Sequence, residues 1–179
     1  NTGQAGVVHQ GVDLKGKKRV SDQSRTSLDW GWRLRRGLGL GHGDVFSVVL
    51  PNSCEMLEAY LAAFQAGMYL VPINHHLTVP EVAYIVSDSN SKVLIGNGLF
   101  ASELEAVASE CGLAPDRLLA VGEVPGFESY ADAVAPAPDG EPEGRTAGQV
   151  MNYTSGTTGR PKGVRRKLPG IDPDEAGAL

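Results

Sequence analysis

From Val45 onward, short β-branched apolar runs alternate with stretches of helical period, and this alternation constrains the fold of the 179-residue chain more than any other feature. Val45-Phe46-Ser47-Val48-Val49-Leu50 is almost continuously apolar, as a strand covered on both faces requires. Pro51 and Asn52 end it. Ser53 supplies the N-cap of a helix running to Ala66, with Met56, Leu57, Tyr60, Leu61 and Phe64 at three-and-four spacing as its apolar face and Gly67 as its stop. Tyr69 to Ile73 reads as the next strand. Thr78 and Glu81 form a capping box around Pro80, with Val82, Ile85 and Val86 inward, and that helix runs to Asp88. Lys92 to Ile95 is a third strand, and Ser102 to Cys111 a third helix burying Leu104, Val107 and Ala108. Leu118 to Val121 is a fourth strand, and Gln149 to Thr154 a fifth. Repeated β-α-β units imply an α/β fold, a largely parallel sheet with flanking helices.

The remaining sequence is less regular. Ser27 to Leu38 has a helix-like pattern, but Trp30, Trp32 and Leu34 do not share one clean face. Residues 135–148, rich in Pro, Gly and acidic residues, read as a surface loop. Asp172, Asp174 and Glu175 lack calcium-loop spacing and read as a solvated tail. Gly37 to Gly43 ends a helix and precedes a strand, the reverse of a dinucleotide fingerprint, so it reads as a connector. His75 and His76 are adjacent, without acidic or thiol partners at ligand spacing, and read as a loop pair; no metal site is expected.

Charge narrows the partners. Residues 1–44 carry eight basic and four acidic side chains, residues 45–150 three and fourteen, and residues 151–179 five and three. An acidic middle of this size excludes a nucleic-acid footprint there, and the Lys15, Lys17, Lys18 and Arg19 cluster reads as a solvated arm. Cys54 and Cys111 are too far apart for a metal knuckle or a CxxC pair, which fits buried thiols in a reducing, cytoplasmic compartment. The uncharged stretch Ala59 to Pro80 is interrupted by Gln65, Gly67, Pro72, Asn74, His75 and His76, so no transmembrane segment is expected.

The chemistry concentrates after the fifth strand, in Thr154-Ser155-Gly156-Thr157-Thr158-Gly159-Arg160-Pro161-Lys162-Gly163. Three glycines let successive backbone N–H groups converge on an anion, the Ser and Thr hydroxyls add donors, and Lys162 adds a point charge. The Gly156, Gly159, Lys162 spacing differs from a Walker loop. The sequence that follows, Val164 to Gly170, lacks a helical apolar face. The anion is therefore expected between extended segments, in a polyphosphate cradle.

The string Tyr153 to Val164 resembles the phosphate-binding signature of the adenylate-forming superfamily, which includes acyl-CoA synthetases, aryl-CoA ligases, luciferases and peptide-synthetase adenylation domains. The similarity continues upstream through Gly39 to Asp44, Leu50 to Ser53, Ala66-Gly67, Val71 to Asn74 and Leu77-Thr78. Ile73-Asn74 followed by Leu77-Thr78 resembles the CoA-ligase branch, and Gly163-Val164-Arg165-Arg166 resembles a bacterial fatty-acyl-CoA synthetase. The resemblance implies an atypical segment over 1–26, part of an adenylation domain over 27–167 and a truncated tail over 168–179. It implies activation of a carboxylic acid, with a fatty acid favoured, by ATP with Mg²⁺, and transfer of the acyl group to CoA. Carried over, Thr154, Ser155, Gly156, Thr157, Thr158, Gly159, Lys162 and Gly163 hold the β/γ-phosphates, with Lys162 as the catalytic charge.

The superfamily's later motifs, for ribose, for the acyl-adenylate and for a C-terminal lysine, do not occur in these 179 residues. The chain is therefore expected to be an incomplete portion, with uncovered apolar faces that favour self-association. An inactive phosphate- or nucleotide-binding module, a degraded reading-frame product, an aryl-CoA ligase and an amino-acid-adenylating relative stay open as alternatives.

Overall fold

A computed structural model describes residues 29–31, 33–134, 144–154 and 159–177. Six strands form one all-parallel sheet: β1 (Val45–Val49), β2 (Tyr69–Pro72), β3 (Ser91–Asn97), β4 (Leu118–Val121), β5 (Glu128–Ser129) and β6 (Gln149–Val150). Their spatial order is β5-β4-β3-β1-β2-β6. A separate antiparallel ribbon pairs β7 (Asn152–Thr154) with β8 (Lys162–Val164). The helices are α1 (Cys54–Ala66), α2 (Val79–Asp88), α3 (Ala101–Cys111), α4 (Tyr130–Val134) and α5 (Pro173–Gly177). The expected α/β class is the observed one.

Period-two alternation in β1 divides the core. Phe46 and Val48 face a layer formed by α1, α4 and the Trp30 to Leu40 segment, while Val45 and Val49 face α2 and α3. Trp30 and Leu34, four residues apart, are both buried in the first layer, on either side of the residue where a clean face was lost in the sequence pattern. A π-helical turn spans Arg33–Gly37, and Trp32 lies outside the described residues.

The caps read from the sequence are present. Ser53 Oγ accepts from the Met56 N–H, Gly67 closes α1 in the left-handed region at φ 68°, and the Thr78 N–H donates to Glu81. The apolar face assigned to α1 is reversed, however. Ala59, Ala62, Ala63 and Ala66 are buried, whereas Leu57 is 46% exposed and Tyr60, Leu61 and Phe64 are half-buried. Alanine lets the helix lie close on the sheet, and Tyr60, Leu61 and Phe64 are left lining a groove of about 670 Å³ bordered by β6, Val164 and Ile171.

Glu58 belongs to the same buried stripe and is fully buried. Its Oε2 accepts from the Tyr130 hydroxyl at 2.7 Å, and the Tyr130 ring lies 4.3 Å from that of Trp30. Burial first, and then the Glu58 carboxyl, push the Tyr130 hydroxyl far above its ordinary range, so it remains a donor.

The expected fifth strand, Gln149 to Thr154, is broken. β6 pairs with β2 only through Tyr69↔Gln149 and Leu70↔Val150, and the Met151 N–H donates to the Leu70 carbonyl. The next rung would need an N–H from Pro72, which has none, so the chain leaves the sheet. Two other expectations are corrected. Residues 144–148 are not all surface loop, since Ala147 and Gly148 are buried, while residues 135–143 lie outside the described residues. Asp172, Asp174 and Glu175 are exposed, as expected of a solvated segment, although Asp172 and Asp174 also pair with Arg145, at 3.6 and 3.1 Å, and the nearby Leu168 is buried. The thiols are not buried either, since Cys54 is exposed and Cys111 half-buried. No helix among the described residues is long and apolar enough to cross a membrane.

Two measurements follow from this packing. Ala62→Leu should overpack the interface of α1 with the sheet and lower unfolding stability by about 2 kcal/mol, whereas Leu57→Ser should change it by less than about 0.5 kcal/mol. Denaturant titration would give the opposite order if the large residues carried the core face. Asp44 provides a pH test. Burial raises its pKa, but the Gly41 N–H at 2.7 Å, Lys92 at 2.8 Å and the nearby Arg165 outweigh that and hold the carboxyl below the usual carboxylate range. A depressed folded pKa means stability present above the unfolded value and lost as pH falls through the folded one. The stability advantage of wild type over Asp44→Asn should therefore be full at neutral pH and shrink below about pH 4.

Candidate functional site

Having left the parallel sheet at Met151, the chain runs through β7, residues 155–161 and β8, so the glycine-containing motif connects two antiparallel strands. The register is Asn152↔Val164, Tyr153↔Gly163 and Thr154↔Lys162. Directly opposed residues of an antiparallel pair lie on one face, and successive residues alternate. Thr154 and Lys162 therefore share one face at the mouth of the connection, and both are exposed. Tyr153 and Gly163 share the other face, which packs inward.

Four of the candidate residues, Ser155, Gly156, Thr157 and Thr158, lie outside the described residues. The described ones divide by role. Lys162 makes no ion pair among the described residues, which leaves its ammonium open to solvent. Gly159 sits at φ 101°, a region closed to side-chain-bearing residues, so its glycine is required by the backbone. Gly163 has a different reason. A Cβ there would fall 2.9 Å from Tyr153 Cζ and would also meet Met151 Cε, so this glycine makes room for the tyrosine ring.

The inward face is held by residues that the sequence pattern did not single out. The Tyr153 hydroxyl donates to Asp88 Oδ2 at 2.6 Å. The Tyr84 hydroxyl, one turn earlier on α2, lies 3.2 Å from Asp88 Oδ1 and 3.2 Å from the Pro161 carbonyl, so its single proton is shared between two acceptors. The Arg160 guanidinium stands 5.3 Å from the centroid of the Tyr84 ring. Burial, together with Asp88, pushes the Tyr153 hydroxyl well above its usual range. Beyond β8, the Tyr69 hydroxyl donates to the Arg166 carbonyl at 2.5 Å, and the Arg165 guanidinium covers the Tyr69 ring at 4.4 Å. In the sequence, Asp88 was only the end of a helix; Tyr153 could have been found from strand alternation, as the inward neighbour of Thr154.

His75 lies elsewhere, stacked on Phe100 at 4.6 Å and 4.1 Å from His76, in a hollow of about 300 Å³ at the carboxyl ends of β1 and β2. Among the described residues no three His, Cys, Asp or Glu side chains converge as a metal site would require. The hairpin presents a threonine and a lysine on one face with a glycine-bearing connection between them, the donor types from which an anion receptor can be built.

Residues 24–167 match the family described as AMP-binding enzyme. The long-chain-fatty-acid–CoA ligase FadD13 of Mycobacterium tuberculosis is 37% identical over 130 residues, covering 71% of this chain and 25% of that protein. The feruloyl-CoA synthase of an Amycolatopsis species is 40% identical over 135 residues, covering 74% and 25%. The chain thus spans about a quarter of the length of these curated relatives. Among solved structures, the anthranilate CoA ligase AuaEII in complex with anthranoyl-AMP superposes with a TM-score of 0.71 at 26% identity, over 84% of this chain and 30% of that one.

Gly163→Ala should therefore lower stability by about 1 to 3 kcal/mol through the clash with Tyr153, while Lys162→Ala, at an exposed position, should change it by less than about 0.5 kcal/mol. Thermal or denaturant unfolding of the two variants checks the assignment; equal losses would mean that Gly163 is not seated under the ring.

Proposed function

The chain belongs to the AMP-binding enzyme family, and on that premise we propose that it supplies the triphosphate-gripping hairpin of an ATP-dependent acid–CoA ligase. In that reaction a substrate carboxylate oxygen bonds to the α-phosphorus of ATP and the bond from that phosphorus to the β-phosphate bridge oxygen breaks. Pyrophosphate leaves with the bridging electron pair. The CoA sulfur then attacks the acyl carbon, AMP leaves, and the thiol proton passes to solvent.

One observation carries the reading: Lys162 and Thr154 are opposed and exposed on one face of a ribbon whose connection holds the glycines. Pyrophosphate is the leaving group, so a charge fixed at the β/γ end stabilises the transition state more than the ground state. The candidate contacts are Thr154, Ser155, Gly156, Thr157, Thr158, Gly159 and Lys162, with Gly163 placing the ribbon. Mg²⁺ would enter on the phosphates and neutralise the charge that builds there. The described residues suit a phosphate ligand, since Lys162 has no acid pairing with it and Gly159 takes a backbone conformation available to nests.

A fatty acid is the substrate class favoured by the likeness to the FadD13 ligase and by the Gly163-Val164-Arg165-Arg166 tail of the motif. Aromatic acids are a second reading, favoured by the higher identity to a feruloyl-CoA synthase.

Two experiments test this. The chain titrated with pyrophosphate, ATP and AMP, followed through its backbone amides, should respond to pyrophosphate and ATP with roughly millimolar affinity, about 4 kcal/mol, and less to AMP. A response to AMP equal to or stronger than that to pyrophosphate would remove the β/γ assignment. In a full-length relative carrying residues 44–167 of this chain, Lys162→Ala should slow carboxylate-dependent exchange of pyrophosphate into ATP by roughly 10²-fold. Running that exchange with a long-chain and an aromatic acid separates the two substrate readings.

A further inference from the structure

We propose that Asp88 is a positioning residue for Lys162, holding the ribbon against α2 through the hydroxyls of Tyr153 and Tyr84. The inference rests on the reading of that ribbon as the triphosphate site. A two-stranded ribbon of three residue pairs is not stable alone in water, so the orientation of Lys162 depends on what the ribbon is fastened to.

The fastening brackets the lysine. Tyr153, bonded to Asp88 Oδ2 at 2.6 Å, is the cross-strand partner of Gly163, the residue after Lys162. Tyr84, bonded to Asp88 Oδ1, also reaches the carbonyl of Pro161, the residue before it. The Lys162 side chain is exposed and makes no ion pair among the described residues that would hold it in place. One carboxylate thus fixes the backbone on both sides of the charge.

Asp88 is also in a place where helix physics disfavours it. It is the last residue of α2, where the helix dipole repels a carboxylate, and no basic residue stands in that turn to offset it. A residue set against a local rule without a local partner is expected where a distant function retains it. The two hydroxyl donors are that compensation. The anchor point is itself rigid: Ser89, the C-cap of α2, is bonded at 2.8 Å to Ser91 of β3, which is bonded at 2.5 Å to Ser47 of the central strand.

The test measures pyrophosphate binding to the chain by NMR titration in wild type, Asp88→Ala, Asp88→Asn, Tyr153→Phe and Tyr130→Phe. Asp88→Ala and Tyr153→Phe should each weaken pyrophosphate by about tenfold, the loss expected for one hydrogen bond to a charged group. They should also speed amide hydrogen exchange in β7 and β8 while leaving β1 unchanged. Asp88→Asn keeps an acceptor oxygen and should bind within about threefold of wild type. Tyr130→Phe, which removes a donor from buried Glu58 far along the sheet, should lower global stability without changing pyrophosphate affinity. Should Asp88→Ala fail to fold, Tyr153→Phe and Asp88→Asn carry the comparison. Equal affinity in wild type, Asp88→Ala and Tyr153→Phe overturns the inference, as does a matching loss in Tyr130→Phe, which would reduce the effect to stability. A wild-type chain that ignores pyrophosphate overturns the phosphate reading itself and takes the inference with it.

Discussion

The Ser47 hydroxyl is fully buried in the central strand, and satisfying it organises much of the molecule around it. A hydroxyl in an apolar layer must be bonded or it costs roughly 1 to 3 kcal/mol. Ser89 donates to the Val86 carbonyl at 3.1 Å, so its oxygen is left to accept from Ser91, and Ser91 in turn accepts from Ser47. The direction of the chain is therefore fixed. It ties β1 to the start of β3, across the register shift between Val45 and Ser47, and ties both to the end of α2. The next residue along, Asp88, is where the ribbon attaches. The serine chain thus connects the middle of the sheet to the helix end that carries Asp88.

What the sequence made legible was whatever is decided locally. The Ser53 cap, the Thr78 and Glu81 box and the short apolar runs of β1, β3 and β4 each follow from residues within a few positions of one another, and each is present. The apolar face of α1 was not legible because two faces of that helix are apolar, and size, not hydrophobicity, decides which one meets the sheet. The alanine stripe could be recognised only by knowing how close the helix lies. The end of β6 was not legible from its own sequence either, because its cause, Pro72, lies about eighty residues away on the neighbouring strand. The pairing of the exposed Asp172 and Asp174 with Arg145 was not legible for the same reason, since their partner lies about thirty residues earlier in the chain.

The candidate site divides in a similar way. Its chemistry was visible as composition, in glycines, hydroxyls and a lysine within ten residues. Its mounting was not. The motif's last glycine, Gly163, looked like one more phosphate-binding position, but the Tyr153 ring crossing it gives it a packing role. Asp88 carries no motif at all, and only the tertiary pairing of α2 with the ribbon reveals it.

The same mounting settles an electrostatic difficulty. The segment from Val45 to Val150 carries a large excess of acidic side chains, an unpromising platform for binding a polyanion. Net charge acts weakly here, since beyond about 8 to 10 Å exposed charges are screened at physiological salt, and the near neighbours of the lysine decide its field. The acid that fastens the ribbon is Asp88, which bonds to the Tyr153 hydroxyl, and strand alternation places Lys162 and Thr154 on the face opposite Tyr153. Two hydroxyls, not an ammonium, satisfy that carboxylate. A tyrosine donor stabilises the aspartate without adding a positive charge, and the lysine has no ion-pair partner among the described residues. Were Asp88 paired with Lys162 instead, any phosphate would have to break that ion pair before binding. The ribbon separates anchoring from charge, one function to each face, and so presents a cation on an otherwise acidic domain.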